Sequence, residues 1–144
     1  MTTGARISLP ESFIVDASIA VKWFAAEADT PQARLVYKAI VEQTSRAFAP
    51  YLIVYEVANA LWKSKKLQEE KVSEAAIELL NFDIQLIELD SGVIQSAAKF
   101  MVKYDLTFYD AVYAALAGIK KMPVLTANSK DFNKIKEIKV FGLK

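Results

Sequence analysis

The sequence predicts an α/β fold in which helices cover a mostly parallel central sheet. Short apolar runs with strand character recur along the chain, and segments with helical periodicity separate them. This alternation predicts parallel pairing with right-handed crossovers. The length of 144 residues, of which 53% are hydrophobic, fits one compact domain with a sizeable core. We therefore expect a single domain over residues 12–144, preceded by an N-terminal lead-in over residues 1–11.

The predicted strands and helices alternate along the chain. The strands are expected at residues 12–15, 47–49, 84–89, 123–126 and 138–141. Capping residues and prolines indicate helices that start at Ser18, Thr30, Pro50, Ser73, Asp90, Thr107 and Ser129. The first helix is expected to be capped by Ser18 and to run through Ala26. The helix that starts at Ser73 is expected to bury Ala76, Leu79 and Leu80.

The chain contains no histidine and no cysteine. These absences exclude the usual ligands of zinc, copper and haem, and they exclude Ser-His and Cys-His nucleophile pairs. A catalytic metal would have oxygen ligands, which favours Mg²⁺ or Mn²⁺. No apolar segment reaches the ~20 residues that span a bilayer, and no signal peptide begins the chain. We expect a cytoplasmic protein with no membrane partner.

The charge is distributed unevenly, although the net charge is only +1. Residues 118–144 hold seven lysines against Asp131 and Glu137, a net charge of +5, whereas residues 1–117 hold 11 basic and 15 acidic residues, a net charge of −4. This pattern is compatible with an anionic polymer that runs along the C-terminal end of the fold. A set of exposed lysines that only keeps the protein in solution explains it equally well.

Asp16 directly follows the first predicted strand in the segment FIVDAS, where an unpaired buried charge would be costly. In open parallel sheets, ligands bind beyond the carboxyl ends of the strands, and Asp16 and Thr126 both stand at such ends. Glu56 lies in a largely apolar helix, and Asp110 lies in the first turn of another. The alternative interpretations are a solvated helix face for Glu56 and a capping box with Thr107 for Asp110.

After the fourth predicted strand, Asn128 and Asp131 compete for a fourth site position. Asp131 could act catalytically or serve a short helix as its first-turn acid, while Asn128 offers an amide oxygen to water or a cation. If Asp16, Glu56 and Asp110 converge in one crevice, their mutual repulsion raises their pKa values unless a cation neutralises them. Oxygen-ligated Mg²⁺ or Mn²⁺ would resolve this conflict, and metal-assisted phosphodiester hydrolysis is the best-matched reaction.

Four segments together resemble the PIN domain, and more narrowly the VapC toxins of prokaryotic toxin-antitoxin pairs. They occur in the order expected for the family and cover nearly the whole chain: FIVDASIAVKWF, APYLIVYEVANALWK, LTFYDAVYAALA and MPVLTANSKDF. The resemblance implies a PIN-like three-layer α/β/α sandwich and a Mg²⁺- or Mn²⁺-dependent endoribonuclease. It also implies an RNA substrate, a homodimer, and a VapB-type antitoxin whose C-terminal segment lies along the active-site groove.

By the same resemblance, Asp16, Glu56 and Asp110 would be the metal ligands. Ser18 and Thr126 match hydroxyl residues of the family, one near the first aspartate and one after the fourth strand. On this hypothesis the ion activates a water for attack on the phosphate, while the carboxylates orient that water and one of them accepts its proton.

The segment around Asn128 departs from the commonest family pattern. Many members carry an aspartate at this position, and others carry asparagine there with an acid three residues later, as Asp131 is here. The fourth catalytic position is therefore open between Asn128 and Asp131. We expect one well-held ion, with a second ion recruited together with the RNA as the alternative.

Residues at the rim are expected to contact the substrate and the partner. Flanking phosphates would be held by Lys63, Lys65, Lys66 and the C-terminal lysines. Tyr109 and Trp62 could stack on an unpaired base, although core or interface positions are the stronger expectation for both. The candidate docking side chains for the antitoxin are Trp23, Phe24, Tyr55 and Trp62.

Two other functions stay open at this point. One is a catalytically weak PIN-fold module that only binds RNA or a protein, which Asn128 favours because its neutral side chain removes a charge from the site. The other is a housekeeping RNA-processing PIN nuclease without an antitoxin. An aspartyl-phosphate protein with Asp16 as its nucleophile is disfavoured, because Ser18 stands where such sites generally place a second aspartate.

Overall fold

The computed structural model describes residues 7–26 and 30–143. In chain order the elements are β1 (Ser12–Val15), α1 (Ala17–Phe24), α2 (Thr30–Val41), β2 (Arg46–Pro50), α3 (Leu52–Lys63), α4 (Glu69–Asn81), β3 (Ile84–Ile87), α5 (Ser91–Tyr104), α6 (Phe108–Lys120), β4 (Val124–Leu125), α7 (Ser129–Asn133) and β5 (Val140–Phe141). The last three strands are shorter than predicted. No helix within the two described ranges is both long and apolar enough to cross a bilayer.

The strands form one sheet in the order β3-β2-β1-β4-β5, and the described pairings are all parallel. In the central strand β1, Ile14 is opposite Phe48 of β2 and Val15 is opposite Leu125 of β4. Phe13, Ile14 and Val15 are fully buried, as expected for a strand that is covered on both faces. The chain passes from β1 to β2 on one side and later returns to β4 on the other. A crevice therefore opens between the carboxyl ends of β1 and β4.

The helices form two groups, which are the outer layers of an α/β/α sandwich. α1 contacts α2 and α3, and α3 contacts α4, while in the second group α6 contacts α5 and α7. α6 also contacts β1, β2 and β4, and its residues 111–117 are all buried. Four of these residues are alanines, whose small side chains allow a helix to pack closely against its neighbours. The predicted α/β/α class with a parallel sheet is confirmed.

Residues 7–11, which are the described part of the predicted lead-in, pack against the core. Ile7 and Leu9 are half-buried against the core, and the carbonyl of Glu11 accepts a hydrogen bond from the backbone N–H of Arg46 at 2.8 Å. These contacts fix the chain where it enters β1.

Trp23 lies in the interior, which excludes it as a docking side chain. Its indole Nε1 donates to the carbonyl oxygen of Ala33 at 2.8 Å. Its ring packs edge-on against Tyr37 and Phe82, with ring centroids 5.5 and 5.6 Å apart. This aromatic cluster joins α1 to α2 and to the end of α4.

The predicted capping role of Ser18 is wrong. α1 begins at Ala17 with Asp16 at the N-cap position, so Ser18 lies inside the first turn of the helix. Its hydroxyl donates instead to the carboxylate of Asp16 at 2.8 Å. The helix also ends at Phe24, before the predicted end at Ala26.

The predicted start of α4 at Ser73 is also wrong, because the helix begins at Glu69. Glu69 and Glu70 lie in its first turn, where negative charge is favourable near the positive end of the helix dipole. The Ser73 hydroxyl bonds to the carbonyl of Glu70 within the helix at 3.3 Å, so it acts inside the helix and not as its cap. The buried residues of the helix are Ala75 and Leu79. Of the predicted inner face Ala76, Leu79 and Leu80, only Leu79 is therefore correct.

Candidate active site

Asp16 stands at the carboxyl end of β1, in the crevice between β1 and β4. Its backbone N–H donates to the carbonyl oxygen of Leu125 at 3.0 Å, which extends the pairing of the two strands by one residue. Asp16 is only 7% exposed, and burial raises the pKa of its carboxyl group. Hydrogen bonds from Ser18, from Thr126 and from nearby backbone amides oppose this shift. These hydrogen bonds stabilise the buried carboxylate that the FIVDAS segment predicts.

Ser18 and Thr126 both bind the same oxygen of Asp16. Ser18 Oγ donates to Asp16 Oδ2 at 2.8 Å, and Thr126 Oγ1 donates to it at 2.9 Å. Each hydroxyl has a single hydrogen, so the 3.1 Å contact between the two hydroxyls is a close approach and not a further donation. As acceptors, Ser18 Oγ receives the N–H of Ala127 and Thr126 Oγ1 receives that of Asn128, both at 2.9 Å. This hydroxyl clamp joins the ends of β1 and β4.

Glu56 lies on α3 and is held by Tyr113 of α6. The Tyr113 hydroxyl donates to Glu56 Oε1 at 2.7 Å, and Tyr113 is fully buried. Burial raises the pKa of Glu56 to about 7; the hydrogen bond from Tyr113 opposes the shift, and the charges of Asp16 and Asp110 add to it. This environment is not that of a solvated helix face, which was the alternative interpretation of Glu56.

Asp110 lies half-buried in the first turn of α6. Thr107 caps this helix by accepting the backbone N–H of Asp110 at 3.1 Å, as the spacing predicts. Burial, and then the charges of Asp16 and Asp131, raise the pKa of the Asp110 carboxyl, while the charge of Lys134 opposes them. Asp110 is therefore part of the helix N-terminus and also faces the acids of the crevice.

Asp16, Glu56 and Asp110 come from distant segments and lie near enough for their charges to interact; we call them the acid centre. The charge of Asp16 acts on both of the others, and the charge of Asp110 acts on Glu56. In the part of the chain that the structure describes, no three acidic side chains lie close enough together to hold one metal ion as they stand. The chemistry of the acid centre fits a hard divalent cation. Its oxygen donors have raised pKa values because of burial and mutual repulsion, and a cation offsets both of these costs.

Asn128 and Asp131 lie together at the edge of the acid centre. Asn128 Nδ2 donates to Asp131 Oδ2 at 2.8 Å, and the charge of Asp131 acts on Asp110. Asn128 is exposed, whereas Asp131 is half-buried in the first turn of α7. The two candidates for the fourth position thus form one hydrogen-bonded pair.

Tyr113 and Lys22 were not among the site residues predicted from the sequence. Tyr113 follows Asp110 by three residues, and Lys22 follows Ser18 by four, so each shares a helix face with a candidate site residue. This spacing was the signal available in the sequence. Lys22 is only 6% exposed, which is unusual for a lysine.

The expected rim residues are accessible. Lys63 and Lys66 are exposed and Lys65 is half-buried. Tyr109 and Trp62 are 58% and 60% exposed, so neither is a core residue. Tyr55, one of the candidate docking side chains, is 69% exposed.

Glu56→Gln should stabilise the metal-free protein at pH 8 by about 1 to 2 kcal/mol, allowing for the partial exposure of Glu56, and should have little effect at pH 5. The pKa of Glu56 is about 7 in the fold against an ordinary 4.5, so the folded state loses stability as the pH rises between these values. At pH 8 glutamine removes the unfavourable charge, whereas at pH 5 the parent side chain is already protonated in the fold. Thermal unfolding in EDTA at both pH values measures the difference.

The control for this prediction is Glu42→Gln, which changes an exposed glutamate after α2. It should shift the unfolding temperature equally at pH 5 and pH 8. The same result for Glu56→Gln would contradict the prediction.

The PIN domain family model matches residues 13–138, a range that contains the whole acid centre. Two curated relatives from Pyrobaculum aerophilum are similar to this chain. Ribonuclease VapC3 is 33% identical over 108 residues, which cover 72% of this chain and 79% of the relative. Exonuclease VapC9 is 27% identical over 128 residues, which cover 89% of each chain.

A solved structure of VapBC2 from Rickettsia felis, bound to a DNA fragment from their promoter, has a similar fold. The TM-score is 0.71 at 10% identity, and the match covers 92% of this chain and 99% of the other. At this identity the likeness concerns the fold alone. Because the family model matches most of the residues and VapC3 is similar over most of its length, the chain belongs to the PIN domain family.

Proposed function

We propose that this protein is a metal-dependent endoribonuclease that acts as the VapC-type toxin of a toxin-antitoxin pair. The observation that supports the proposal is the approach of Asp16, Glu56 and Asp110 to one another around the crevice, where burial raises all three pKa values and the charge of Asp16 adds to the shifts of the other two. Membership of the PIN domain family and the similarity to a relative named ribonuclease VapC3 support it. The crevice also lies beyond the carboxyl ends of parallel strands, where such sheets bind ligands.

The acid centre would hold Mg²⁺ or Mn²⁺ through its carboxylate oxygens. When bound, the ion would neutralise the acids and polarise both the scissile phosphate and the attacking water. The hydroxyl clamp fixes Asp16 Oδ2, and Tyr113 fixes Glu56 Oε1. These partners orient two of the acids before any ligand arrives, although the three carboxylates must still move closer together to hold one ion.

Hydrolysis forms a bond between a water oxygen and phosphorus, and it breaks the bond from phosphorus to the leaving oxygen. A carboxylate of the acid centre accepts the proton of the attacking water, and solvent protonates the leaving oxygen. We propose that Asp131, held by Asn128, is the fourth catalytic residue, since its charge already acts on Asp110.

Asp16→Asn and Asp110→Asn should each reduce Mn²⁺-dependent RNA cleavage by at least about 100-fold while the fold is retained, because a neutral amide binds a divalent ion poorly. Cleavage of a labelled single-stranded RNA, with Mn²⁺ and with EDTA, measures the effect. Asp83→Asn is the matched control, since it changes an exposed acid before β3, at the opposite edge of the sheet.

Parent activity in EDTA, or full activity of Asp16→Asn, would contradict the assignment. A parent protein that binds RNA without cleaving it would instead support the catalytically weak binding module. Circular dichroism of each variant distinguishes lost chemistry from lost folding.

Cleavage should be endonucleolytic, and a circular single-stranded RNA tests this because it has no ends. One of the two relatives is named a ribonuclease and the other an exonuclease, so exonucleolytic cleavage is the alternative that the test must distinguish. An endonuclease opens the circle and then shortens the linear product. If the protein degrades linear RNA but leaves the circle intact, it is an exonuclease.

We propose a VapB-type antitoxin as the partner and a homodimer as the assembly. The similarity of the fold to a VapBC2 structure supports the antitoxin. A protein partner is also supported by an apolar groove of about 300 Å³, whose lining includes the exposed side chains of Tyr51, Tyr55, Leu89 and Tyr109. Exposed apolar surface of this kind is typical of protein interaction sites.

Expression of the parent protein should arrest bacterial growth, and Asp16→Asn should relieve the arrest, because a toxin of this type acts through its nuclease site. Growth curves after induction measure the effect, with protein levels matched by immunoblot. Equal arrest by both proteins would contradict the toxin assignment. RNA cleavage in vitro without growth arrest would favour the housekeeping nuclease.

A further inference from the structure

A second groove lies beside the acid centre, on the side of α1. It has a volume of about 390 Å³, and its polar lining consists of Ser18, Lys22, Ser64, Lys65 and Asn128. These residues come from α1, from the end of α3, and from the segment after β4. We call it the lysine groove.

The lysine groove adjoins the acid centre through two shared residues. Ser18 lines the groove and donates to Asp16 Oδ2 at 2.8 Å. Asn128 also lines the groove and donates a hydrogen bond to Asp131. The charge of Asp131 in turn acts on Asp110. A group bound in the groove would therefore be a direct neighbour of a group bound at the acid centre.

The charge of the groove is opposite to that of the acid centre. Its lining residues include two lysines and no acid, whereas the acid centre consists of three carboxylates. RNA is a polyanion, so the acid centre alone repels it and the lysine groove attracts it. The Ser64 hydroxyl and the Asn128 amide add groups that can hydrogen-bond to phosphate oxygens.

Lys22 gives the groove a cation that a surface lysine would not provide. It is only 6% exposed although it lines the groove. Water and salt screen a charge in such surroundings less than they screen a charge on the surface. Lys22 and Lys65 each interact with another residue of the chain, and a bound phosphate would add to those interactions.

We propose that the lysine groove binds a backbone phosphate of the RNA next to the phosphate that is cleaved. The inference rests on the proposed nuclease function and adds the subsite that places the strand relative to Asp16. Lys22 and Lys65 attract the phosphate by charge, and Ser64 and Asn128 provide hydrogen bonds to its oxygens.

The test is RNA binding without cleavage, measured by fluorescence anisotropy of a labelled short single-stranded RNA in EDTA. The double variant Lys22→Gln with Lys65→Gln should raise Kd about tenfold at low salt. It should also lower the slope of log Kd against log salt concentration by about 0.7, the value for one single-strand phosphate contact. Lys99→Gln removes one lysine charge from an exposed position on α5, as each groove substitution does singly, and should leave both quantities near those of the parent.

Two further variants control for the loss of charge and for the loss of folding. Lys65→Arg preserves the charge at the groove and should bind RNA as the parent does. Thermal unfolding is measured for every variant because Lys22 is buried. If Lys22→Gln unfolds, Lys65→Gln alone is used, and it should raise Kd about threefold.

The possible results separate the two proposals. If the parent binds and cleaves RNA but the double variant has the same Kd and salt slope, the groove proposal is overturned and the nuclease assignment stands. If the parent neither binds nor cleaves RNA, the proposed function itself fails. RNA with a 5′-phosphate and RNA with a 5′-hydroxyl should bind equally, and a requirement for the 5′-phosphate would overturn the assignment to an internal phosphate.

Discussion

The site depends on one constraint, which is that the carboxylate of Asp16 must be stabilised at the buried end of the central strand. Removing an ionised carboxylate from water is costly unless hydrogen bonds or opposite charge compensate for it. Ser18 and Thr126 supply two of these hydrogen bonds to a single oxygen. Thr126 reaches Asp16 because β4 pairs with β1, although 110 residues separate them in the chain. The stabilisation of the Asp16 carboxylate therefore depends on the order of the strands in the sheet.

The same crevice brings together carboxylates whose mutual repulsion is only partly offset by the residues that the structure describes. The charge of Asp16 raises the pKa values of Glu56 and Asp110, the charge of Asp110 also raises that of Glu56, and the Tyr113 hydroxyl hydrogen-bonds to Glu56. Concentrating like charges in a partly buried site lowers the stability of the ligand-free fold. A ligand that binds only the folded protein restores that stability by mass action. This is the behaviour expected of a binding site whose residues are selected for function and not for stability.

The lysines of the protein occupy two separate settings in the structure. Lys120 lies in the last turn of α6, Lys121 is its C-cap, and Lys134 is the C-cap of α7. Positive charge is favourable at these helix ends, which gives part of the basic excess in residues 118–144 a structural reason. The lysines that line the groove beside the acid centre are Lys22 and Lys65, from the acidic part of the sequence. The uneven charge along the chain therefore does not reveal where the charge lies in space.

The sequence by itself determined the features that are local in the chain. The apolar run 12–15 is β1, Thr107 caps α6, and Asp16, Glu56 and Asp110 were identifiable as acids in apolar or capping contexts. Such features are predictable because periodicity and capping depend on residues a few positions apart.

Only the tertiary structure decided which groups meet. The hydrogen bond from Tyr113 to Glu56 joins residues 57 positions apart. The hydroxyl clamp on Asp16 depends on the sheet order. The position of the lysine groove beside the acid centre depends on how α1, α3 and α6 pack. The start of α4 and the role of Ser18 were mispredicted for a related reason: several residues could cap those helices, and local propensity alone is too weak to choose between them. The chemistry of the site thus comes from residue types that the sequence shows and from distances that only packing sets.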